Sequence, residues 1–236
     1  MTYQRINKKL SHYGICSRRK AKILIKEKKF PVKGIIPEIG MKVDLHKDII
    51  EINGKSLKEI KFSSRILSIN KPKFVITSCS DNHNRKTIFD LLHSKYKKGF
   101  FPIGKLDYLI RGTLKISNNR DLCYKLSDPN FKHKRTYIFK ITGKLIEKSI
   151  NLWRSGIELN ERKSNPFIIE ILEQNDKSAI LKIILKEFRN NQIRHIASLL
   201  GYKVIDLERV CFDEILLENF KESNWREIDN YRFEAF

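Results

Sequence analysis

From residue 65 onward the chain alternates short β-type runs with single helical stretches, and this alternation restricts the fold more than any other feature. The runs are RILSI at 65–69, FVITS at 74–78, TYIFKIT at 136–142, FIIEI at 167–171, AILKIIL at 179–185 and KVIDL at 203–207. Each is rich in β-branched or aromatic residues, which suit a pleated, half-buried surface. Helical patterns fall at 87–93, 119–126, 146–153 and 190–200. Several connections are too short for parallel crossovers, which need a dozen residues or more. The expected fold is α+β, with a mainly antiparallel mixed sheet.

The N-terminal stretch has another pattern. Ile6 and Leu10 lie one helical turn apart and Gly14 is placed to stop that helix. Ser17 can cap a second helix, SRRKAKILIKEKK, with Ala21, Leu24 and Ile25 facing inward. Two short β signals follow, KVDL and DIIEI, and then an Asn53-Gly54 turn. The expected division is a small α/β module over residues 1–60, a polar linker near Lys55–Ser64, and a larger domain over 61–236.

Charge says what such a chain meets. The 48 Lys and Arg against 27 Asp and Glu leave a net of +21. Residues 1–33 hold 11 of the cations and one acid, and residues 61–185 hold 25 against 11. The last 51 residues are mildly acidic, with 8 against 10. A concentrated basic block points to a polyanion, and nucleic acid is the leading partner. Arg18, Arg19, Lys22 and Lys26, on the outer side of the second helix, are the expected clamp on an RNA backbone.

Other classes lose support. Lysine interrupts every apolar stretch, so no membrane span is expected. The first residues lack a secretory apolar region, which makes the cytoplasm the expected location. Cys16, Cys79, Cys123 and Cys211 are far apart and form no CxxC pair, so no metal site is expected. Phosphate-binding loops of the GxxxxGK[ST] and GxGxxG types are missing, as are HExxH and GxSxG.

Two segments remain distinctive. One is Gly104-Lys105-Leu106-Asp107-Tyr108, ahead of the strand-like Thr113–Ile116. The other is Phe188-Arg189-Asn190-Asn191-Gln192-Ile193-Arg194-His195-Ile196, leading into a helix and then Gly201-Tyr202. A lone acid beside a turn reads as a cap or an ion-pair member, so pattern alone does not single out Asp107. With Asn70-Lys71-Pro72, Phe101-Pro102-Ile103 and Lys134-Arg135-Thr136-Tyr137, these segments are collinear over nearly the whole chain. In that arrangement the sequence resembles the RsuA-type branch of the ribosomal RNA pseudouridine synthases. Ser17–Ile25 and Asn53-Gly54-Lys55 resemble an RNA-binding module that this branch shares with a small-subunit ribosomal protein.

The resemblance implies isomerisation of a uridine in ribosomal RNA, with no cofactor and no metal. Asp107 matches the family's essential aspartate, acting on the ribose as nucleophile or base. Arg194 matches the arginine partner of that aspartate. Tyr137 matches the tyrosine that stacks on the flipped base, and Lys105 stands at a substrate-binding arginine position. A core aromatic on the Tyr137/Phe139/Ile141 face fits the same strand equally well. The implied partner is ribosomal RNA or an assembling ribosomal subunit, met by a monomer. The short tail after residue 228 tilts the expectation towards the small subunit.

Six positions depart from the family pattern. Phe74 and Phe188 stand at glycines, Lys105 and Asn191 at arginines, Ile110 at a threonine, and His195 at a second arginine. If the glycine positions need positive φ, Phe74 and Phe188 are strained. These departures keep one alternative open, a catalytically weak or inactive RNA-binding or ribosome-assembly factor on the same fold. A transfer-RNA isomerase and a helix-turn-helix DNA-binding repressor are the further alternatives. The segment at 189–194 counts against the former, and the β signals after residue 40 count against the latter.

Overall fold

The structure, a computed structural model, describes residues 3–12, 16, 18–27, 37–44, 48–52, 55–56, 63–97, 99–128, 131, 133–159, 162–187, 189, 191–213, 215–217 and 221–228. Its elements in chain order are β1 (4–5), α1 (6–12), α2 (18–26), β2 (42–43), β3 (51–52), β4 (55–56), β5 (66–71), β6 (101–103), β7 (111–117) and α3 (120–127). They continue as β8 (135–142), α4 (147–155), β9 (158–159), β10 (162–163), β11 (168–174), β12 (178–185), α5 (192–199), β13 (204–212), β14 (215–216) and β15 (225–228).

One large sheet organises the chain from residue 65 onward, in the order β11-β12-β8-β13-β7-β5-β15. Its pairings are antiparallel apart from β13 with β7. The α+β expectation therefore holds. In β12 buried and part-exposed residues alternate through all eight positions, as in a strand with one face against a core. That core takes Leu67, Leu114, Phe139, Leu181 and Leu207 from the sheet, Trp153 from α4 and Ile196 from α5. A smaller cluster on α3 gathers Leu122, Cys123 and Leu126 with Ile66, Ile103 and Phe212.

The helices end where local chemistry ends them. Asn119 caps α3, its side chain accepting from the N–H groups of Asp121 and Leu122 at 3.1 Å each. Gly156 follows α4 at φ +83°. Among the N-terminal elements, Ile6 and Leu10 of α1 and Ala21 and Ile25 of α2 form a separate cluster with Val43 and Ile50. The inward reading of Ala21 and Ile25 holds, and Leu24 packs against the same cluster. Gly14, Ser17, the Asn53-Gly54 turn, Phe188 and most of the expected linker lie outside the described residues.

Two expected elements take another form. FVITS is not a strand: Phe74 sits at φ +62° and only a single bridge, Ile76 to Thr87, survives. A left-handed residue turns the chain out of the extended conformation that a ladder requires. The helical pattern at 87–93 is a 3-10 turn over Ile88–Leu91, opened by Thr87, whose N–H and hydroxyl both donate to Asp90.

One detail of topology prepares the site. Strand β7 keeps β5 along one edge, but along the other it changes partner. It pairs with β13 at Arg111 and Gly112 and with β6 from Lys115 to Ser117. The two partners diverge between these positions.

Candidate active site

Asp107 lies in the segment that joins β6 to β7, and the surrounding residues fasten that segment point by point. Ser127 accepts from the Gly104 N–H at 2.8 Å. The Thr77 hydroxyl donates to the Leu106 carbonyl at 2.6 Å and accepts from the Leu106 N–H at 3.2 Å. The Phe74 N–H donates to the Tyr108 carbonyl at 2.7 Å, and the Ile110 N–H closes a turn onto the Asp107 carbonyl at 3.0 Å. The Lys71 ammonium donates to the Ile110 carbonyl at 2.7 Å and to that of Pro72 at 2.9 Å. Backbone on both sides of the carboxylate is thus held, which is what a group of fixed aim requires.

The carboxylate lines a cavity of about 30 Å³ with Ile110, Tyr137, Leu185, Ile193 and Leu207, and with the polar Arg189, Asn191 and Gln192. Tyr137 takes the core place that its strand pattern offers. It is 4% exposed and belongs to the main core with Phe139 and Ile141, and its ring also walls the cavity.

Arg194 is placed differently from a direct partner of Asp107. Its guanidinium donates to the Val204 carbonyl at 3.1 Å and to the Leu109 carbonyl at 3.4 Å. It therefore ties the start of β13 to the turn after Asp107 and reaches the carboxylate through charge alone. Burial pulls its pKa down, and the charges of Asp107 and Asp206 oppose that shift. Burial also pushes the Lys71 ammonium down to about 8, against the opposing pull of Asp107.

Lys105 is exposed two residues before Asp107 and faces another cavity. Arg18, Arg19, Lys22 and Lys26 are all exposed on α2, apart from the carboxylate cavity. Sequence reasoning missed Thr77 and Ser127 as fasteners, since lone hydroxyls far from Asp107 in sequence carry no signal. It also gave Gln192 no role. That side chain is buried beside the cavity and its amide donates to Glu187. Of the departures, Ile110 walls the cavity and Asn191 opens α5 at φ +51°, a conformation Asn tolerates. His195 is exposed on α5.

Comparison with known proteins decides the family. Residues 65–199 match the family model described as RNA pseudouridylate synthase. The chain belongs to that family. An RNA pseudouridine synthase of Aquifex aeolicus, itself uncharacterised, is 33% identical over 95% of this chain and 90% of its own length. Ribosomal large subunit pseudouridine synthase B of Bacillus subtilis is 32% identical over 95% and 92%. A crystal structure of a pseudouridylate synthase covers 97% of each chain with a TM-score of 0.70, and at 21% identity it speaks for the fold. The RsuA-type resemblance is upheld, and the pseudouridylate synthase here is an isomerase of uridines in RNA. Among the described residues no helix is long and apolar enough to cross a membrane.

Proposed function

We propose that this synthase isomerises a uridine of ribosomal RNA with Asp107 as the reacting carboxylate. The observation that supports the reading is the fastening of residues 104–110, which holds Asp107 at a cavity that Tyr137, Ile110 and Leu207 also line. The target uridine leaves its stack, at a cost of a few kcal/mol, so that its ribose meets Asp107. The carboxylate then acts at the anomeric carbon as nucleophile, or takes the neighbouring ribose proton as base. The bond from that carbon to N1 breaks and a bond to C5 forms. C5 gives up its proton and N1 ends protonated, so the product has the mass of the substrate.

Tyr137 stacks on the freed base, Arg194 holds the turn after Asp107, and Lys105 contacts the strand beside it. Residues 1–60 form an RNA-binding module whose Arg18, Arg19, Lys22 and Lys26 grip phosphates with little regard to sequence, and residues 61–236 form the catalytic domain. The enzyme acts as a monomer in the cytoplasm. The sequence favours a small-subunit target, whereas the relative from Bacillus subtilis is named for the large subunit.

The test is a pseudouridine map of both ribosomal RNAs from cells carrying wild type or Asp107→Asn. Loss of one site in the variant supports the reading and names the subunit. An unchanged map, with RNA binding intact, would favour the assembly-factor alternative.

A further inference from the structure

Two aromatic rings beside Asp107 stand open to solvent. Asp107 and Ile110 are the ends of a turn, closed by the Ile110 N–H on the Asp107 carbonyl at 3.0 Å, and both ends line the carboxylate cavity. The two residues between them are turned out of the core: Tyr108 is 43% exposed and Leu109 46%. Phe74, 60% exposed, meets Tyr108 edge to face, with centroids 5.6 Å apart and ring planes at 71°. The end Cα atoms of a four-residue turn lie within about 7 Å of each other, so this aromatic corner begins within one turn of Asp107.

The rings are exposed, yet the backbone that carries them is fixed. The Phe74 N–H holds the Tyr108 carbonyl, the Arg194 guanidinium holds that of Leu109, and Val75, next to Phe74, is buried in the main core. Phe74 keeps its place at φ +62°, a conformation that penalises any Cβ, where the resemblance sets a glycine. Core packing does not account for a ring so open to water. Charge does not account for it either, because the cations beside it are ion-paired: Lys73 to Asp206 at 2.5 Å, and Arg85, whose charge reaches Tyr108, to Asp81 at 2.8 Å. What the corner offers is flat apolar surface, and RNA supplies flat partners. Stacking on an aromatic side chain suits any base, because every base has a π face. Continuity with the site then names the occupant. A uridine that leaves its stack bares one face of the neighbouring base, which stays tied to it by a single phosphodiester. Rings already held in place lose little freedom when they cover that face.

We propose that Phe74 and Tyr108 form a stacking ledge for the nucleobase next to the target uridine, covering the face that the uridine abandons. The ledge rests on the reading of Asp107 as the uridine site. Stacking holds in the bound complex and in the transition state alike, so its loss should raise KM and spare kcat.

The experiment follows tritium release from ribosomal RNA transcripts made with C5-tritiated uridine, since the reaction expels the C5 proton. Phe74→Leu and Tyr108→Leu keep an apolar side chain, and at position 74 the same backbone cost, but lose the ring. Each should raise KM about tenfold at every salt concentration, because a stacked base and no phosphate contact is lost. Phe74→Tyr and Tyr108→Phe should bring KM back towards that of wild type. Leu172→Ala, at an exposed apolar position of β11, should leave KM unchanged. If Phe74→Leu does not fold, Tyr108→Leu decides. A fall in kcat at constant KM would make the pair a support for Asp107 and overturn the ledge. So would an unchanged KM in both leucine variants, which leaves the rings to a protein neighbour, or an equal rise in the leucine and ring-keeping variants. Asp107→Asn separates the ledge from catalysis. It should abolish tritium release yet bind the transcripts as wild type does, and adding Tyr108→Leu should weaken that binding about tenfold. Tritium release persisting in Asp107→Asn overturns the uridine reading, whereas a Kd that Tyr108→Leu leaves unchanged overturns the ledge alone.

Discussion

Phe74 donates its backbone N–H to the Tyr108 carbonyl at 2.7 Å, and the rings of the two residues meet edge to face with centroids 5.6 Å apart. The phenylalanine does so at φ +62°, where a Cβ costs about 1–2 kcal/mol. Ordinarily alanine is the more stabilising replacement because glycine has more chain entropy to lose. At position 74 the order should reverse. Both variants lose the ring contact, but only Phe74→Gly sheds the backbone penalty. Urea unfolding should show Phe74→Gly more stable than Phe74→Ala by about 1 kcal/mol. An alanine variant at least as stable as the glycine variant would count against this conformation.

This position also shows how much the sequence disclosed. The core strands were legible because their residues alternate: β8 and β12 present one buried face each, and that period survives in any register. FVITS has the same composition yet forms no strand, because its first residue is bent by a contact to Tyr108, 34 positions away. Asp107 was legible only through its neighbours in a familiar order. Its fasteners Thr77 and Ser127 act through backbone groups, and a hydroxyl that will bind a remote peptide resembles any surface serine. The cluster of cations round Phe212 was hidden for a different reason. Lys115, Arg135 and Arg209 read as three ordinary basic residues until the change of partner along β7 brings them round one ring.

Lys71 predicts a pH dependence with a definite sign. Burial brings its pKa to about 8 in the folded chain, below the ordinary 10.5. Below pH 8 both states carry the proton, so this group adds a burial cost but no slope. Between about pH 8 and 10.5 the unfolded chain still binds a proton that the folded chain has released, so stability from this group rises with pH. The rise approaches 1.4 kcal/mol per pH unit at most, about the value of one proton. Lys115, pushed down to about 7 by burial, contributes with the same sign. It is present in both proteins and cancels from the difference between wild type and Lys71→Met. Urea unfolding at intervals from pH 7 to 10 should give that difference an upward slope above pH 8. A flat difference would place the Lys71 pKa near its ordinary value.

Arg194→Lys should harm turnover more than folding. Two guanidinium nitrogens hold two carbonyls, one on β13 and one at Leu109, two residues after Asp107. An ammonium keeps the charge but has no rigid fork to span both acceptors. The turn after Asp107 then loses one tie while those from Lys71 and Phe74 remain. A tenfold or greater fall in kcat is expected, roughly 1.4 kcal/mol of misplaced carboxylate, with KM little changed and Tm within a few degrees. A rise in KM at constant kcat would instead make Arg194 a plain RNA contact.

Gly112 is the position where the sheet can least accept a side chain. It pairs with Arg209 in the parallel ladder of β7 with β13, at φ +111°, and a Cβ there would stand 2.3 Å from the Arg209 carbonyl oxygen and 2.8 Å from its nitrogen. Backbone on the partner strand cannot swing aside as the end of a side chain can. Gly112→Ala therefore combines a left-handed backbone penalty with overpacking, and about 3 kcal/mol or more should be lost. Gly143→Ala supplies the control, because at φ +74° it has nothing within 4 Å of its Cβ and meets only the backbone penalty. Denaturant midpoints for the two variants should differ by the cost of the clash, about 2 kcal/mol. Equal losses would mean that β7 and β13 separate more readily than their register implies.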